Sequence, residues 1–111
     1  MGNKQHMLIT LDDIKANSTV TAYIQKADDN LGVLGFSEHG FRHNNLVADT
    51  AYRILAALGY SSREAELAAI AGYLHDIGNV VERTHHYVIG ALLAMDLLKE
   101  MEMDKNEIAE I

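Results

Sequence analysis

Apolar residues recur three and four positions apart along most of this chain, and no proline interrupts them. That spacing lines one face of an α-helix and favours helices over strands. Capping residues and glycines divide the pattern into segments. Thr10-Leu11-Asp12-Asp13 predicts a short helix capped by Thr10. Ser18 is expected to cap the next, with Val20, Tyr23, Ile24, Ala27, Leu31 and Leu34 on its apolar side and Gly35 as its stop. Ser37 and Glu38 are expected to open a third, whose stripe reads Leu46, Val47, Thr50, Ala51, Ile54, Leu55, Leu58 and ends at Gly59. Ser61 and Glu64 have the spacing of a capping box. The helix after them should turn Leu67, Ile70, Ala71, Leu74 and Ile77 inward and stop at Gly78. Past the connector "NVVERT", a longer helix is expected from about His85 to Met103, with Val88, Ile89, Leu92, Met95 and Leu98 on its apolar side. Asp104 with Glu107 looks like a second capping box, opening a last helix at Ile108. The chain stops at Ile111 in that helix's second turn, so the domain is read as truncated there.

The 111 residues are enough for one domain. Residues 1–9 are read as a frayed N-terminal segment and 10–111 as a single helical domain, incomplete at its C-terminal end. Hydrophobic residues make up 49%, which argues for a packed core and against disorder. There is no cysteine, so disulfides and thiolate metal sites are excluded and His, Asp and Glu remain as the strong ligands. The formal net charge is -7, with 16 acidic residues against 9 Lys and Arg. With no basic run of five or more, this opposes a protein that tracks a nucleic-acid duplex. No apolar run approaches the roughly 20 residues needed to cross a bilayer. The first ten residues lack the apolar centre of a signal peptide. A cytoplasmic location is the expectation.

The segment "AGYLHDIGN" carries the chemistry. His75 and Asp76 stand side by side where an apolar helix ends. Neighbours on a helix point about 100° apart, so they seldom share a core contact, but both can reach one ion lying over the helix end. An imidazole nitrogen and a carboxylate oxygen suit a divalent ion such as Mn, Fe, Co, Ni, Zn or Mg. Two ligands do not hold an ion tightly, so another helix must contribute. His43 is the best third, because it shares a helical stripe with Leu46, Val47 and Thr50 and should face inward.

The stretches "RHNNLVADTAYRILAALG", "AAIAGYLHDIGN" and "HHYVIGALLAMDLL" together resemble the HD-domain superfamily of metal-dependent phosphohydrolases, over roughly residues 38–98. That family pairs a His, followed four positions on by an aliphatic residue, with a later Leu-His-Asp-Ile/Val-Gly segment. The resemblance implies a compact all-α bundle and makes His43 the first metal ligand, with His75 and Asp76 the name-giving pair. It implies hydrolysis of a phosphate ester, a nucleotide foremost, by attack of a hydroxide formed on the ion, with Asp76 orienting or deprotonating the water. His86 matches the His-x-x-x-Gly segment of members that hold two metals. His86, with His85, Arg42 and Arg83, is therefore a candidate for a second metal or for phosphate contact, arginine because its fork matches phosphate. The family closes its first site with a later Asp. Here Asp104 stands at a cap and Asp96 lies mid-helix without a counterpart. The expected partners are a small phosphorylated substrate, no membrane and no nucleic-acid duplex, with a homodimer left open.

Other chemistries find less support. His39 and His43 have zinc-protease spacing, but Gly40 replaces the Glu that such a site requires. "NLGVLG" lacks the spacing of a phosphate loop, and no serine sits in a G-x-S-x-G setting. Two readings compete with the enzyme: a non-catalytic helical module that binds a metal or nucleotide or serves interactions, and a structural dimerisation domain whose histidines are only hydrogen-bonded.

Overall fold

The computed structural model describes residues 8–33, 40–77 and 86–111, with only the backbone of 31–33, 86 and 87. Among these residues there are six α-helices and no strand: α1 (Leu11–Ala16), α2 (Ser18–Val33), α3 (Phe41–Ala57), α4 (Ser62–Leu74), α5 (His86–Glu100) and α6 (Lys105–Glu110). The all-α bundle expected from the periodicity is the fold observed.

Local chemistry accounts for most of the helix ends. Asp13 N–H donates to Thr10 Oγ1 at 3.1 Å, and Thr10 N–H donates back to Asp13 Oδ2 at 2.9 Å. Ser61 and Glu64 form the same reciprocal box at α4. The cap of α2 differs from expectation. Val20 N–H donates to Asn17 Oδ1 at 3.0 Å, and Ser18 is already helical. Asn17 also ends α1, so one residue makes the whole joint between the two helices. Gly59, with φ +89°, closes α3, its own N–H and that of Tyr60 bonding back to Ala56 and Leu55 carbonyls. An L-residue strongly disfavours that conformation, whereas glycine accepts it. The expected stop at Gly35, cap at Ser37, stop at Gly78 and connector lie outside the described residues. α3 begins at Phe41, with Gly40 as its N-cap.

α4 is the centre of the bundle. Ala65, Leu67, Ala69, Ile70, Tyr73 and Leu74 are all buried. Ile14 of α1, Val20 and Ile24 of α2, Ala48 of α3 and Leu97 and Leu98 of α5 close around it. The most extensive helix pair is α3 with α4. They approach closely at Gly72, where a Cβ would stand 3.0 Å from Val47 Cγ1 and 3.3 Å from the Ala48 nitrogen. Glycine lets the two backbones meet.

Two expected apolar faces are corrected. On α3, Leu46, Ile54 and Leu58 are exposed by 62%, 53% and 69%, and the buried residues are Asn44 and Ala48. Val47 and Ala48 are the α3 residues that meet Gly72, and Leu46, Ile54 and Leu58 lie to the side of that contact. On α5, Val88, Leu92 and Met95 are exposed, while Leu97 and Leu98 are buried and Leu93 and Ala94 pack on the core. The sequence from Val88 to Leu98 is apolar on nearly every face, so its spacing allows more than one register and tertiary packing selects among them.

A polar clasp ties Ile9, Leu11 and α6 to α4. Arg63 donates from Nε and Nη2 to the two oxygens of Glu107, at 2.8 and 2.7 Å. Its Nη1 donates to Glu66 Oε1 and to the Ile9 carbonyl, each at 2.8 Å. Glu66 in turn accepts from Leu11 N–H at 2.9 Å. Asp104 does cap α6, accepting from the Asn106 and Glu107 amides. The reciprocal half of the expected box is replaced, because the Glu107 carboxylate is committed to Arg63.

Candidate metal centre

α4 ends at Leu74, and His75 and Asp76 form the turn that follows. His75 Nδ1 lies 2.7 Å from the Gly72 carbonyl oxygen. A carbonyl only accepts, so Nδ1 carries the hydrogen and Nε2 is the nitrogen left for another partner. Nε2 faces Asp76 Oδ2 at 3.1 Å. From α3, His43 brings a second imidazole, whose ring centre is 5.3 Å from that of His75 with the planes inclined at 56°. One ligand atom from each of His43, His75 and Asp76 lies within 4.8 Å of the others. Asp76 is buried and both histidines are half-buried.

The electrostatics favour a cation here. The hydrogen bond to Asp76 raises the His75 pKa above its usual 6.5; burial opposes this and the bond to the Gly72 carbonyl adds to it. With Nδ1 committed as a donor, Nε2 and the carboxylate attract one another only through a positive charge, a proton or a metal ion, between them. Two imidazole nitrogens and one hard oxygen suit a divalent transition ion. Ligands of one tetrahedral ion bonded at about 2.1 Å stand about 3.4 Å apart, so side-chain adjustments on the order of an ångström would close this cluster on an ion. The Gly72 carbonyl supplies the outer hydrogen bond that fixes a ligating imidazole's tautomer and orientation. The residues therefore fit such an ion. Asn44, beside His43, is buried, and its Oδ1 has no hydrogen-bond partner among the described residues.

The remaining expected site residues are placed differently. Arg42 is exposed in the first turn of α3. His86 begins α5, but its side chain, and the whole of His85 and Arg83, lie outside the described residues. Asp96 is exposed on α5 and Asp104 caps α6, so neither joins the cluster. Periodicity gave no notice of two features. Gly72 both orients His75 and lets α3 approach. A cavity of about 550 Å³ lies beside His75, between α4, α5 and α6.

An all-α frame that brings a histidine from one helix onto a His-Asp pair closing the next defines a helical domain with a candidate metal site at that corner. The HD domain family matches residues 40–111, well over half of the sequence, and the chain belongs to that family. Its members are generally metal-dependent hydrolases and typically bind divalent metals. The chain is similar to an uncharacterized protein, MJ1020, of Methanocaldococcus jannaschii, at 28% identity over 105 aligned residues. The match covers 81% of this chain and 40% of that protein, so the chain spans less than half the length of the relative. No solved structure matches significantly. No helix among the described residues is long and apolar enough to cross a membrane.

Proposed function

We propose that this chain is a phosphohydrolase that cleaves a phosphate ester at the corner formed by His43, His75 and Asp76. The observation that carries this reading is the convergence of three ligand atoms, from α3 and from the end of α4, within 4.8 Å. Family membership supports it, since HD-domain proteins are generally metal-dependent hydrolases.

His43, His75 and Asp76 would hold the divalent ion. Bound there, such an ion makes water acidic enough to serve as a nucleophile near neutral pH and offsets charge on phosphoryl oxygens. The Gly72 carbonyl keeps His75 in the tautomer that offers Nε2. Asp76, as a buried carboxylate, would also orient the attacking water and take its proton. Arg42, one residue before His43, would contact the phosphoryl group. His86, with His85 and Arg83 just before it, would contact the phosphate or a second ion, as the family resemblance implies.

The test is turnover of p-nitrophenyl phosphate and bis(p-nitrophenyl) phosphate with added Mn. The wild type should hydrolyse at least one of them. His75→Ala combined with Asp76→Ala should lower the rate by about a thousandfold or more while the helical circular dichroism is kept, because metal binding and water activation are lost together. Undiminished turnover in the double variant would place the chemistry elsewhere.

A further inference from the structure

We propose that the cavity beside His75 receives the body of an anion bearing an aliphatic chain, so that the ester cleaved at the neighbouring corner is an alkyl phosphate; the second clause rests on the phosphohydrolase reading above. The cavity, of about 550 Å³, falls within the roughly 300–1,000 Å³ of small-molecule sites. His75 is part of its wall and also faces Asp76 at 3.1 Å, so one side chain joins the cavity to the cation-binding corner.

The wall is aliphatic. α4 contributes Ala71 and Leu74, α5 contributes Ala94 and Leu98, and Ile108 and Ile111 come from α6 and its end. Its charged groups, among the described residues, are Lys99 and Lys105, from two different helices. In a chain of net charge -7, two lysines in the wall of one apolar cavity offer positive charge to an anion. An aliphatic body gains from this wall with each methylene it buries. A nucleobase would instead exchange the water on its hydrogen-bonding edge for methyl groups. The α6 side of the cavity is held in place, because Glu107 is clamped by both arms of Arg63.

Calorimetric titration with methyl-, butyl- and hexylphosphonate tests this. These probes have no ester bond to cleave, and adenosine 5′-monophosphate serves for comparison. Each titration is run with Mn and after metal removal. Affinity should rise about two- to fourfold per methylene in both conditions, and hexylphosphonate should bind more tightly than the nucleotide. Ala91→Phe and Ala109→Phe, at exposed wall positions, should flatten the ladder with helicity unchanged. Lys99→Glu with Lys105→Glu should weaken every phosphonate by about fivefold or more. A flat ladder, tighter binding of the nucleotide, or a ladder that survives both Phe variants would overturn the proposal. So would sedimentation showing that a second copy of the chain fills the groove. Because the ladder is read without metal, a flat ladder in a protein that binds Mn and turns over aryl phosphate defeats the cavity assignment alone. A steep ladder in a protein that binds no metal defeats the phosphohydrolase reading alone.

Discussion

The His43 and His75 ring centres lie 5.3 Å apart, although His43 belongs to α3 and His75 to the turn that follows α4. Gly72 makes this possible in two ways. Its carbonyl accepts from His75 Nδ1 and fixes that ring, and its missing side chain lets α3 lie against α4 at Val47 and Ala48, just past His43. Ring orientation and helix spacing therefore depend on one residue.

Gly72→Ala should destabilise the fold. A Cβ would meet the α3 backbone at 3.3 Å and Val47 at 3.0 Å. Forcing a methyl into a packed interface costs about 1–3 kcal/mol, against a gain of about 1 kcal/mol in helix propensity. A net loss of up to about 2 kcal/mol is expected in urea unfolding, together with weaker metal binding because His43 is pushed away from His75. A more stable variant with unchanged metal affinity would show that α3 yields freely and that Gly72 does not set the corner.

Leu46→Ala and Leu98→Ala should differ sharply. Leu46 is 62% exposed and Leu98 is 1% exposed. The first should change stability by no more than about 0.5 kcal/mol. The second should cost about 2–5 kcal/mol, because it leaves a cavity in the core. Equal losses, measured by denaturant midpoint at constant slope, would mean that α3 buries the leucine face that its sequence suggests.

The Arg63–Glu107 pair should make stability fall in acid. Its hydrogen bond to Arg63 holds the Glu107 carboxyl below the usual range, outweighing burial. A group whose pKa is depressed in the folded state stabilises fully above its unfolded value, near pH 4.3, and loses that contribution as pH falls through the folded value. Glu107→Gln should remove this part of the acid slope. Arg63→Met should cost about 1–3 kcal/mol near neutrality, between an exposed and a buried pair. Matching pH–stability curves for wild type and Glu107→Gln would refute the assignment.

The parts of this fold that follow local rules were legible in the sequence. Thr10 with Asp13, Ser61 with Glu64, and Gly59 act within one turn of themselves, so their spacing predicts their bonds. The clustering of His43 with His75 and Asp76 was legible only through context, since a His-Asp pair alone is a weak signal and the Leu before it, the Ile-Gly after it and the spacing of His43 to Val47 carry the family resemblance. The register of α3 was not legible, since it depends on how closely Gly72 admits another helix. In α5 the apolar residues surround the axis, so no period marks the buried face. Arg63 meets Glu107 across 44 positions, a distance over which helical spacing carries no information.

Metal content is the direct test of the central claim that His43, His75 and Asp76 share one cation. Protein purified without added metal should be assayed by elemental analysis and then titrated with Mn after chelation. The wild type should carry or take up a divalent ion at a specific site. His43→Ala and His75→Ala, each still helical, should both lose at least about a hundredfold in affinity, because removing a ligand costs more than disturbing an outer hydrogen bond. A wild type that binds no ion, or a His43→Ala variant that binds as tightly as the wild type, would contradict the account.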